Sequence, residues 1–365
     1  MTIAELNTPA LLVDVDRLDR NITTMAESFA GTGVALRPHV KTSKCWAVVR
    51  RQFEAGVAGF TCSTAAEVAW LDRQSVRGLL WAHIPIGPRK VAFTVDTVRR
   101  GADLTVALDS VEAARPLARA AAAAGVTVAF VLEVNTGHGR LGVDPDRAIP
   151  AAASIASLPG LRLRGVLTHE GHVSAESERS ALERAGGQAG AALVRTAEAL
   201  RKAGHEIDIV SVGSTPGVTS APFASGVTEA RPGTYVYYDA NQIRLGSCTL
   251  DDCALTVLAR VVSVQRAGRA IIDAGVKAMS SDTISVTGSV GLVVDLAGNP
   301  LPDITFAEAN EEHGFLLGPG ASKLQVGGMV RLVPNHACGT TNMWSRVYAV
   351  RGGDVVNQWP ITARY

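Results

Sequence analysis

The chain of 365 residues carries 35 Lys and Arg against 34 Asp and Glu, which leaves a formal net charge of +1. A charge so close to zero, without runs of like charge, gives no indication of nucleic acid or an anionic membrane surface as a partner. No apolar run approaches the roughly 20 residues that span a bilayer. The N-terminus lacks the pattern of a secretion signal, and the 5 cysteines are too unevenly spaced for a disulfide framework. These features predict a soluble cytoplasmic protein.

Apolar segments alternate with helical ones through most of the chain. We predict strands over residues 11–15, 34–44 (a short strand that runs into a polar turn), 56–62, 78–84, 103–108, 126–134, 161–168, 207–212 and, as a last unit, near 228–238, with helices over 16–29, 65–71, 111–124 and 176–203. The strands are apolar throughout, which is typical of parallel strands covered on both faces. About eight strand–helix units predict an α/β fold with a (β/α)8 barrel of the TIM type.

The character of the sequence changes near residue 249. Short Val- and Ile-rich runs over 259–264, 270–273, 292–294, 329–333 and 346–350 are separated by turns, and no long helical pattern appears. Such spacing predicts an all-β second domain.

Lys41 stands at the predicted C-terminal end of the first barrel strand. Side chains alternate along a strand, so Arg37, His39 and Lys41 are expected to share one face. Neighbouring positive charge and partial burial lower a lysine pKa, and such an amine can form a Schiff base with a carbonyl. A solvated charge is the ordinary interpretation of a single lysine, so the prediction depends on the other motifs.

A small-residue loop, 213–217 (GSTPG), follows the seventh predicted barrel strand. Backbone N–H groups can approach an anion closely in such a loop, and two hydroxyls add donors. The loops after strands seven and eight are the usual phosphate site of this barrel. A plain turn is the alternative interpretation.

His336 and Cys338 follow the predicted strand at 329–333. Two residues apart on an extended chain, their side chains point the same way. Imidazole with thiolate suits zinc, whereas the alternative is a small buried cysteine beside an unrelated histidine. Other polar side chains expected at the barrel rim are His39, His138, Arg140, His169 and His172.

Taken together, these motifs resemble those of the fold-type III pyridoxal-phosphate enzymes (alanine racemase-like barrel), in the branch of D-threonine aldolase and metal-activated D-serine dehydratase. The resemblance covers nearly the whole chain and rests on residues 8–14 (TPALLVD), 37–42 (RPHVKT), 213–216 (GSTP), 231–235 (RPGTY) and 334–338 (PNHAC). It implies a barrel over residues 20–248 and a β domain formed by 1–19 with 249–365. It also implies a homodimer in which each chain completes the partner's site.

The resemblance assigns roles residue by residue. The expected cofactor-binding residues are Lys41, His39, Arg140, Thr168, His169, Gly213, Ser214, Thr215 and Tyr235. Among them Lys41 carries pyridoxal phosphate, and Gly213, Ser214, Thr215 and Tyr235 hold its phosphate. The expected catalytic residues are Lys41 and His172, and the expected metal ligands are His336 and Cys338, with zinc favoured over manganese or magnesium.

Two lyase reactions follow from this resemblance, both on D-configured β-hydroxy amino acids. In dehydration Lys41 removes the α-proton and the metal polarises the β-hydroxyl, giving a keto acid and ammonia. In retro-aldol cleavage His172 or metal-bound hydroxide takes the hydroxyl proton, giving glycine and an aldehyde. Aldolases of this branch tend to have His-x-Asp and dehydratases His-x-Cys, so Cys338 favours dehydration.

Racemisation and a non-catalytic cofactor carrier are less favoured. Glu170 is expected to add a carboxylate near the substrate.

Overall fold

The computed structural model describes residues 1–364, without the side chain of Ser285. The strands are β1 Ala10–Asp14, β2 Ala35–Leu36, β3 Phe60–Cys62, β4 Leu79–Trp81, β5 Leu104–Leu108, β6 Val128–Glu133, β7 Leu161–Leu167, β8 Ile209–Val212, β9 Glu229–Ala230, β10 Leu255–Arg266, β11 Arg269–Ile272, β12 Gly291–Val294, β13 Thr305–Ala309, β14 Gly314–Leu317, β15 Met329–Pro334, β16 Arg346–Arg351 and β17 Asp354–Pro360. The helices are α1 Val15–Phe29, α2 Trp46–Glu54, α3 Ala65–Arg73, α4 Pro88–Arg99, α5 Val111–Ala123, α6 Ala148–Ala156, α7 Arg179–Lys202, α8 Ala240–Arg244, α9 Val276–Met279, α10 Ile284–Thr287 and α11 Ala337–Asn342.

Residues 26–41 and 52–233 form one compact unit. Its parallel strands stand in the order β2-β9-β8-β7-β6-β5-β4-β3. A parallel bridge joins His39, just after β2, to Thr61 of β3, and the Thr61 N–H donates to the Pro38 carbonyl at 2.8 Å. The ladder therefore closes, and the predicted (β/α)8 barrel is confirmed. The C-terminal strand ends meet at one rim, where this fold carries its functional loops.

Apolar side chains from neighbouring strands fill the barrel interior. One cluster consists of Leu80, Ala107, Val131, Leu167 and Ile209. At Gly165 a Cβ atom would lie only 2.1 Å from the carbonyl oxygen of Ile209. The close approach of β7 to β8 at this point therefore requires glycine.

The barrel helices show why some were predicted and others missed. Helix α5 buries four positions with the spacing i, i+3, i+4 and i+7, namely Ala114, Leu117, Ala118 and Ala121. Helix α4 was not predicted, because Thr, Lys and Arg interrupt its short apolar stripe. It begins at Pro88, a favoured first helical residue, and buries Val91 and Val95.

Residues 1–25, 42–51 and 234–364 form a second compact unit. Its strands stand in the order β11-β14-β13-β12-β15-β10-β1-β16-β17, and β10 also pairs with β11, so the strands from β10 to β15 close on themselves. Strand β1 lies between β10, antiparallel, and β16, parallel. The all-β character of this region is confirmed, and so is the pairing of the first strand with it. The predicted domain boundaries, after residues 19 and 248, stay a prediction.

Within residues 1–364, no helix combines the length and the apolar character needed to cross a membrane.

Candidate active site

Lys41 lies in a 3-10 turn, Val40–Thr42, and not on the strand that the sequence predicted. Strand β2 ends at Leu36, since Pro38 has no N–H with which to extend a regular ladder. The Lys41 backbone N–H donates to Nδ1 of His39 at 3.4 Å. The turn therefore couples the lysine backbone to the ring two residues before it.

The predicted row of basic side chains on one strand face is wrong. Arg37 pairs with Glu229 at 2.9 Å and also donates to the carbonyl of Gly78, just before β4. His39, in contrast, reaches Ser63 just after β3, with 3.2 Å between Nε2 and Oγ. The two side chains point toward opposite ends of the barrel, because regular strand geometry stops between them.

His39 is a neutral ring at the rim. Burial first, and then the charges of Lys41 and Arg231, hold the pKa of His39 well below its usual value. Nδ1 accepts the Lys41 N–H, so Nε2 carries the ring proton and donates to Ser63. His39 can thus orient the turn that bears Lys41 without adding charge.

Glu170 is fully buried and holds the loop that follows β8. Its Oε2 accepts the Gly213 N–H at 3.0 Å, and its Oε1 accepts the Ser214 hydroxyl at 2.9 Å. The Ser214 oxygen in turn accepts the Gly217 N–H at 3.0 Å. Both oxygens of Glu170 are therefore engaged by the loop, and the nearness of this carboxylate to the substrate stays a prediction.

The same bonds reduce the number of hydrogen-bond donors that the loop can offer to a phosphate. The Gly213 N–H and the Ser214 hydroxyl are directed at Glu170. Among residues 1–364, the structure records no partner for the N–H groups of Ser214 and Thr215. The Thr215 Oγ1 accepts the Gly233 N–H at 3.3 Å, which leaves its own proton to donate. An anion at this loop would therefore meet two N–H groups and one hydroxyl.

His169 completes the loop from the other side. Its Nδ1–H donates to the Gly213 carbonyl at 2.6 Å. Burial lowers the pKa of His169 to about 3, although the bond to Gly213 opposes this. Because the ring is neutral and its proton is on Nδ1, Nε2 can accept a hydrogen bond. A Cβ atom at Gly171 would lie 2.8 Å from this Nε2, so the ring packs closely against the Gly171 backbone.

Arg231, the first residue of the motif 231–235, is a buried cation to which the sequence assigned no role. Its guanidinium donates to the Thr168 carbonyl at 2.6 Å and to the Ser211 hydroxyl at 2.5 Å. Burial lowers the pKa of Arg231, while the carboxylates of Glu229, Glu170 and Glu133 raise it. These charges compensate one another beneath the rim, as buried charges require.

Three histidine rings cluster beyond β6 and β7. The rings of His138 and His169 meet edge to face, with 5.3 Å between centroids. A Cβ at Gly137 would lie 2.9 Å from Nε2 of His172, so glycine makes room for this ring. The buried Nδ1 of His172 has no hydrogen-bond partner within residues 1–364.

Arg140 lies in the same cluster, next to a small cavity that it lines with Glu133, His138 and His169. Burial raises the pKa of Glu133, against the charges of Arg231 and Arg140. Its Oε2 is buried without a partner among the residues that the structure describes. Arg140 therefore has a carboxylate and two rings within reach.

His336 and Cys338 meet through a helix start rather than through an extended chain. His336 is the N-cap of α11, with extended backbone angles, and Cys338 lies in the first turn. Asp239 supports this turn, because its Oδ2 accepts the Ala337 N–H at 2.9 Å. Burial raises the pKa of Asp239 to about 6. The predicted same-face arrangement on a strand is therefore wrong, although the two side chains do come together.

Each of these two side chains has a further partner. Nδ1 of His336 pairs with Oδ2 of Asp282. The Cys338 sulfur lies 3.1 Å from the Thr42 hydroxyl and 3.8 Å from that of Thr234. Burial lowers the pKa of His336, but the charge of Cys338 and the hydrogen bonds that the ring makes with Asp282 and Cys338 raise it well above its usual value.

The donors of both units fit the groups that the resemblance implies. In the β unit, the His336 ring contacts both a carboxylate, Asp282, and a thiol, Cys338, and their negative charges would favour a divalent cation. No group of three His, Cys, Asp or Glu side chains suited to a metal occurs within residues 1–364. In the barrel unit, the unpaired N–H groups of Ser214 and Thr215 suit a phosphate. Tyr235 is buried in a 3-10 turn of the β unit, Thr234–Val236.

Three supporting residues lie outside the motifs that the sequence pointed to: Glu133, Asp239 and Asp282. Each acts on a residue far away in the chain, as Asp282 does on His336, 54 positions later. For Arg231, its place in the motif 231–235 was the available signal, because a charged side chain is seldom buried without a partner.

Comparison with known proteins agrees with this architecture. The family description "Alanine racemase, N-terminal domain" matches residues 13–241, and "Putative serine dehydratase domain" matches residues 254–350. The chain is 37% identical to D-threo-3-hydroxyaspartate dehydratase of Delftia sp. (strain HT23), over 98% of each chain. It is 30% identical to D-threonine aldolase of Arthrobacter sp, over 99% of this chain and 94% of the other.

A solved structure of D-threo-3-hydroxyaspartate dehydratase, a cysteine-to-alanine mutant in the metal-free form, superposes with a TM-score of 0.93. It is 36% identical and covers 99% of this chain and 98% of the other. Both domain descriptions and both full-length relatives point to one group. The chain belongs to the fold-type III pyridoxal-phosphate enzymes, in the branch that contains D-threo-3-hydroxyaspartate dehydratase and D-threonine aldolase.

Proposed function

We propose that this protein is a lyase that uses pyridoxal phosphate and a divalent metal to dehydrate D-configured β-hydroxy amino acids to keto acids and ammonia. The relative with 37% identity, a D-threo-3-hydroxyaspartate dehydratase, supports this class of substrate. The observation that carries dehydration is the contact of a thiol, Cys338, with His336. In the resemblance a thiol at this position accompanies dehydration, and a carboxylate accompanies aldol cleavage.

Residues of the barrel unit support the cofactor part of the proposal. When bound, pyridoxal phosphate supplies an electron sink for the electrons of a broken bond at the α-carbon. Lys41 is proposed to carry the cofactor and then to take the α-proton on its Nζ. His39 keeps the Lys41 turn in position with a neutral ring. The N–H groups of Ser214 and Thr215 would hold the phosphate, in the loop that Glu170 braces.

Arg140 and the neighbouring rings are proposed to complete the cofactor site. Arg140 would lie near the pyridine ring, while Thr168 and His169 would shape its edge. His169 is tied to the Gly213 carbonyl and Thr168 to the Thr136 hydroxyl at 2.8 Å, so both side chains are oriented before any ligand binds.

His336 and Cys338 are the proposed metal ligands. When bound, a divalent metal supplies Lewis acidity at the β-hydroxyl and makes it a better leaving group. Thiolate with imidazole favours zinc over manganese or magnesium, since soft sulfur suits the softer ion. In the net reaction the Cα–H and Cβ–O bonds break, water leaves, and the released enamine hydrolyses to a keto acid and ammonia.

Retro-aldol cleavage is the second candidate. His172 supports it, because its buried Nδ1 has no partner within residues 1–364 and could accept the β-hydroxyl proton. The 30% identical relative, a D-threonine aldolase, supports the same reaction class. In that reaction the Cα–Cβ bond breaks, and glycine and an aldehyde leave.

Product analysis distinguishes the two reactions. The purified holoenzyme is incubated with D-threo-3-hydroxyaspartate, D-serine and D-threonine separately, and keto acid, ammonia, glycine and aldehyde are measured. Keto acid and ammonia in equal amounts are expected. Glycine with an equal amount of aldehyde would transfer the assignment to the aldolase. Lys41→Ala serves as the control for uncatalysed reaction.

A homodimer and a cytoplasmic location complete the proposal. The resemblance to enzymes whose two chains complete each other's sites supports the dimer, and the near-zero net charge is compatible with a cytoplasmic enzyme. Sedimentation velocity at the assay concentration tests the dimer, and a fully active monomer would contradict it.

A further inference from the structure

The two proposed metal ligands are each held by a second side chain within the same compact unit. His336 is held through Nδ1 by the Asp282 carboxylate. A histidine that uses one ring nitrogen for a carboxylate presents the other nitrogen to a metal. Nε2 of His336 would therefore be the ring nitrogen that serves a metal.

Cys338 is held from a different segment. Its sulfur lies 3.1 Å from the hydroxyl of Thr42, which is fully buried, and 3.8 Å from that of Thr234. A cysteine that ligates a metal is a thiolate and has no proton to give. In the metal-bound form the Thr42 hydroxyl must therefore donate to the sulfur.

We propose that Asp282 and Thr42 are positioning residues of the metal pair. Asp282 fixes the His336 ring so that Nε2 faces the ion, and Thr42 stabilises the Cys338 thiolate by donating a hydrogen bond. This inference rests on the proposed metal role of His336 and Cys338. Neither residue touches the substrate in this assignment, and each acts through a ligand.

The contacts separate this role from a general contribution to folding. The Asp282 side chain is 48% exposed, so the fold does not depend on its burial. Its carboxylate is directed at His336, and the backbone N–H of Asp282 is satisfied separately by the Ser280 hydroxyl at 3.2 Å. Thr42 is buried, but Val has nearly the same shape, so Thr42→Val removes the hydroxyl and little else.

The test measures metal binding directly. Zinc is titrated into metal-depleted protein against a chromophoric chelator, for the wild type, Asp282→Asn, Thr42→Val and Thr42→Ser. Partners of metal ligands typically contribute about 10- to 100-fold in affinity. We expect a Kd increase of about 10-fold or more for Asp282→Asn and Thr42→Val, and a Kd near the wild-type value for Thr42→Ser, which keeps the donor.

Cobalt substitution adds a readout that a structural effect would not move. A thiolate that loses a hydrogen bond donor holds its lone pairs less tightly, so its charge-transfer band to Co²⁺ should move to longer wavelength in Thr42→Val. The band should stay at the wild-type position in Thr42→Ser and in Asp282→Asn, because neither change removes the Thr42 donor.

His336→Ala and Cys338→Ala separate this inference from the proposed function. If these two variants bind zinc as tightly as the wild type, the proposed metal pair itself is wrong. If they lose zinc while Asp282→Asn and Thr42→Val keep both the wild-type Kd and the wild-type cobalt spectrum, the positioning role alone is overturned. Far-UV circular dichroism of each variant verifies the fold. Because the Asp282 side chain is half exposed, the zinc affinity of Asp282→Asn does not depend on packing in the core.

Discussion

The Glu170 carboxylate accepts the backbone N–H of Gly213 at 3.0 Å and so ties the loop after β7 to the loop after β8. Both groups are buried, and the second oxygen of Glu170 accepts the Ser214 hydroxyl. Buried polar groups need hydrogen-bond partners, and Glu170 and the loop supply these partners to each other. The proposed phosphate loop thus owes its shape to an acidic side chain, although phosphate itself is an anion.

Replacing Glu170 should loosen this loop. Glu170→Ala leaves the buried Gly213 N–H without an acceptor, which costs about 1–3 kcal/mol, and also removes the acceptor of the partly buried Ser214 hydroxyl. We expect a lower free energy of unfolding in urea and a higher Kd for pyridoxal phosphate in absorbance titrations. Glu176→Ala, at an exposed position nearby, is the matched control. Equal stability and cofactor affinity in the two variants would refute the brace.

Lys41→Ala removes the amine that is proposed to bind pyridoxal phosphate covalently. The variant should therefore lose both its activity and the visible absorbance of the lysine-bound cofactor. Borohydride reduction followed by peptide mapping should find the label on Lys41. Lys44 is the informative competitor, three residues later. Lys44 is only 4% exposed, and its Nζ donates to Asn342 at 2.9 Å. Label on Lys44 would overturn the assignment.

Acid should destabilise the protein through His169. Its pKa in the folded state is about 3, below that of an unfolded histidine. Between about pH 6.5 and 3 the histidine is therefore protonated in the unfolded state but not in the folded state, so protonation favours unfolding. The stability associated with the neutral ring is complete above this window and is lost as pH falls through it, by at most about 1.4 kcal/mol per pH unit.

The measurement is urea unfolding at several pH values from 7 to 4. In His169→Gln, which does not titrate, stability should fall less steeply than in the wild type over this range. His39 also remains neutral and will leave part of the slope in the variant. Parallel pH profiles for the two proteins would show that His169 does not contribute.

Removing the metal should separate the two parts of the proposed chemistry. Exhaustive chelation is expected to abolish activity while the visible absorbance of the bound cofactor stays, because Lys41 and the loop at Gly213 lie in the barrel unit and His336 and Cys338 in the other. Full activity after chelation, with negligible metal verified, would refute the Lewis-acid role and leave racemisation as the first candidate.

Changing the sulfur ligand should change the metal preference. Cys338→Asp replaces a soft donor with a hard one, so we expect zinc to lose its advantage over manganese and magnesium. The product ratio is expected to move toward glycine and aldehyde. Cys338→Ala should lower metal affinity with an unchanged cofactor spectrum. An unchanged order of metal preference in Cys338→Asp would show that the sulfur does not select the ion.

Local patterns in the sequence were sufficient for the architecture. Spacing of Ala114, Leu117, Ala118 and Ala121 predicts α5, since a helix brings these positions to one face. Mainly apolar runs such as β5 predict parallel strands, because a strand covered on both sides has no polar face. The motifs around Lys41, Gly213 and His336 pointed to the family for the same reason, since each lies within a few consecutive residues.

Only the tertiary structure decided how the motif residues are held. Asp282 reaches His336 across 54 positions, Thr42 reaches Cys338 across 296, and Glu170 reaches Gly213 across 43. No periodicity of a strand or helix encodes such pairs, because they form only when separate segments pack together. The backbone at Lys41 and at His336 also differs from the extended chain that alternation predicted, with a 3-10 turn at the first and a helix start at the second.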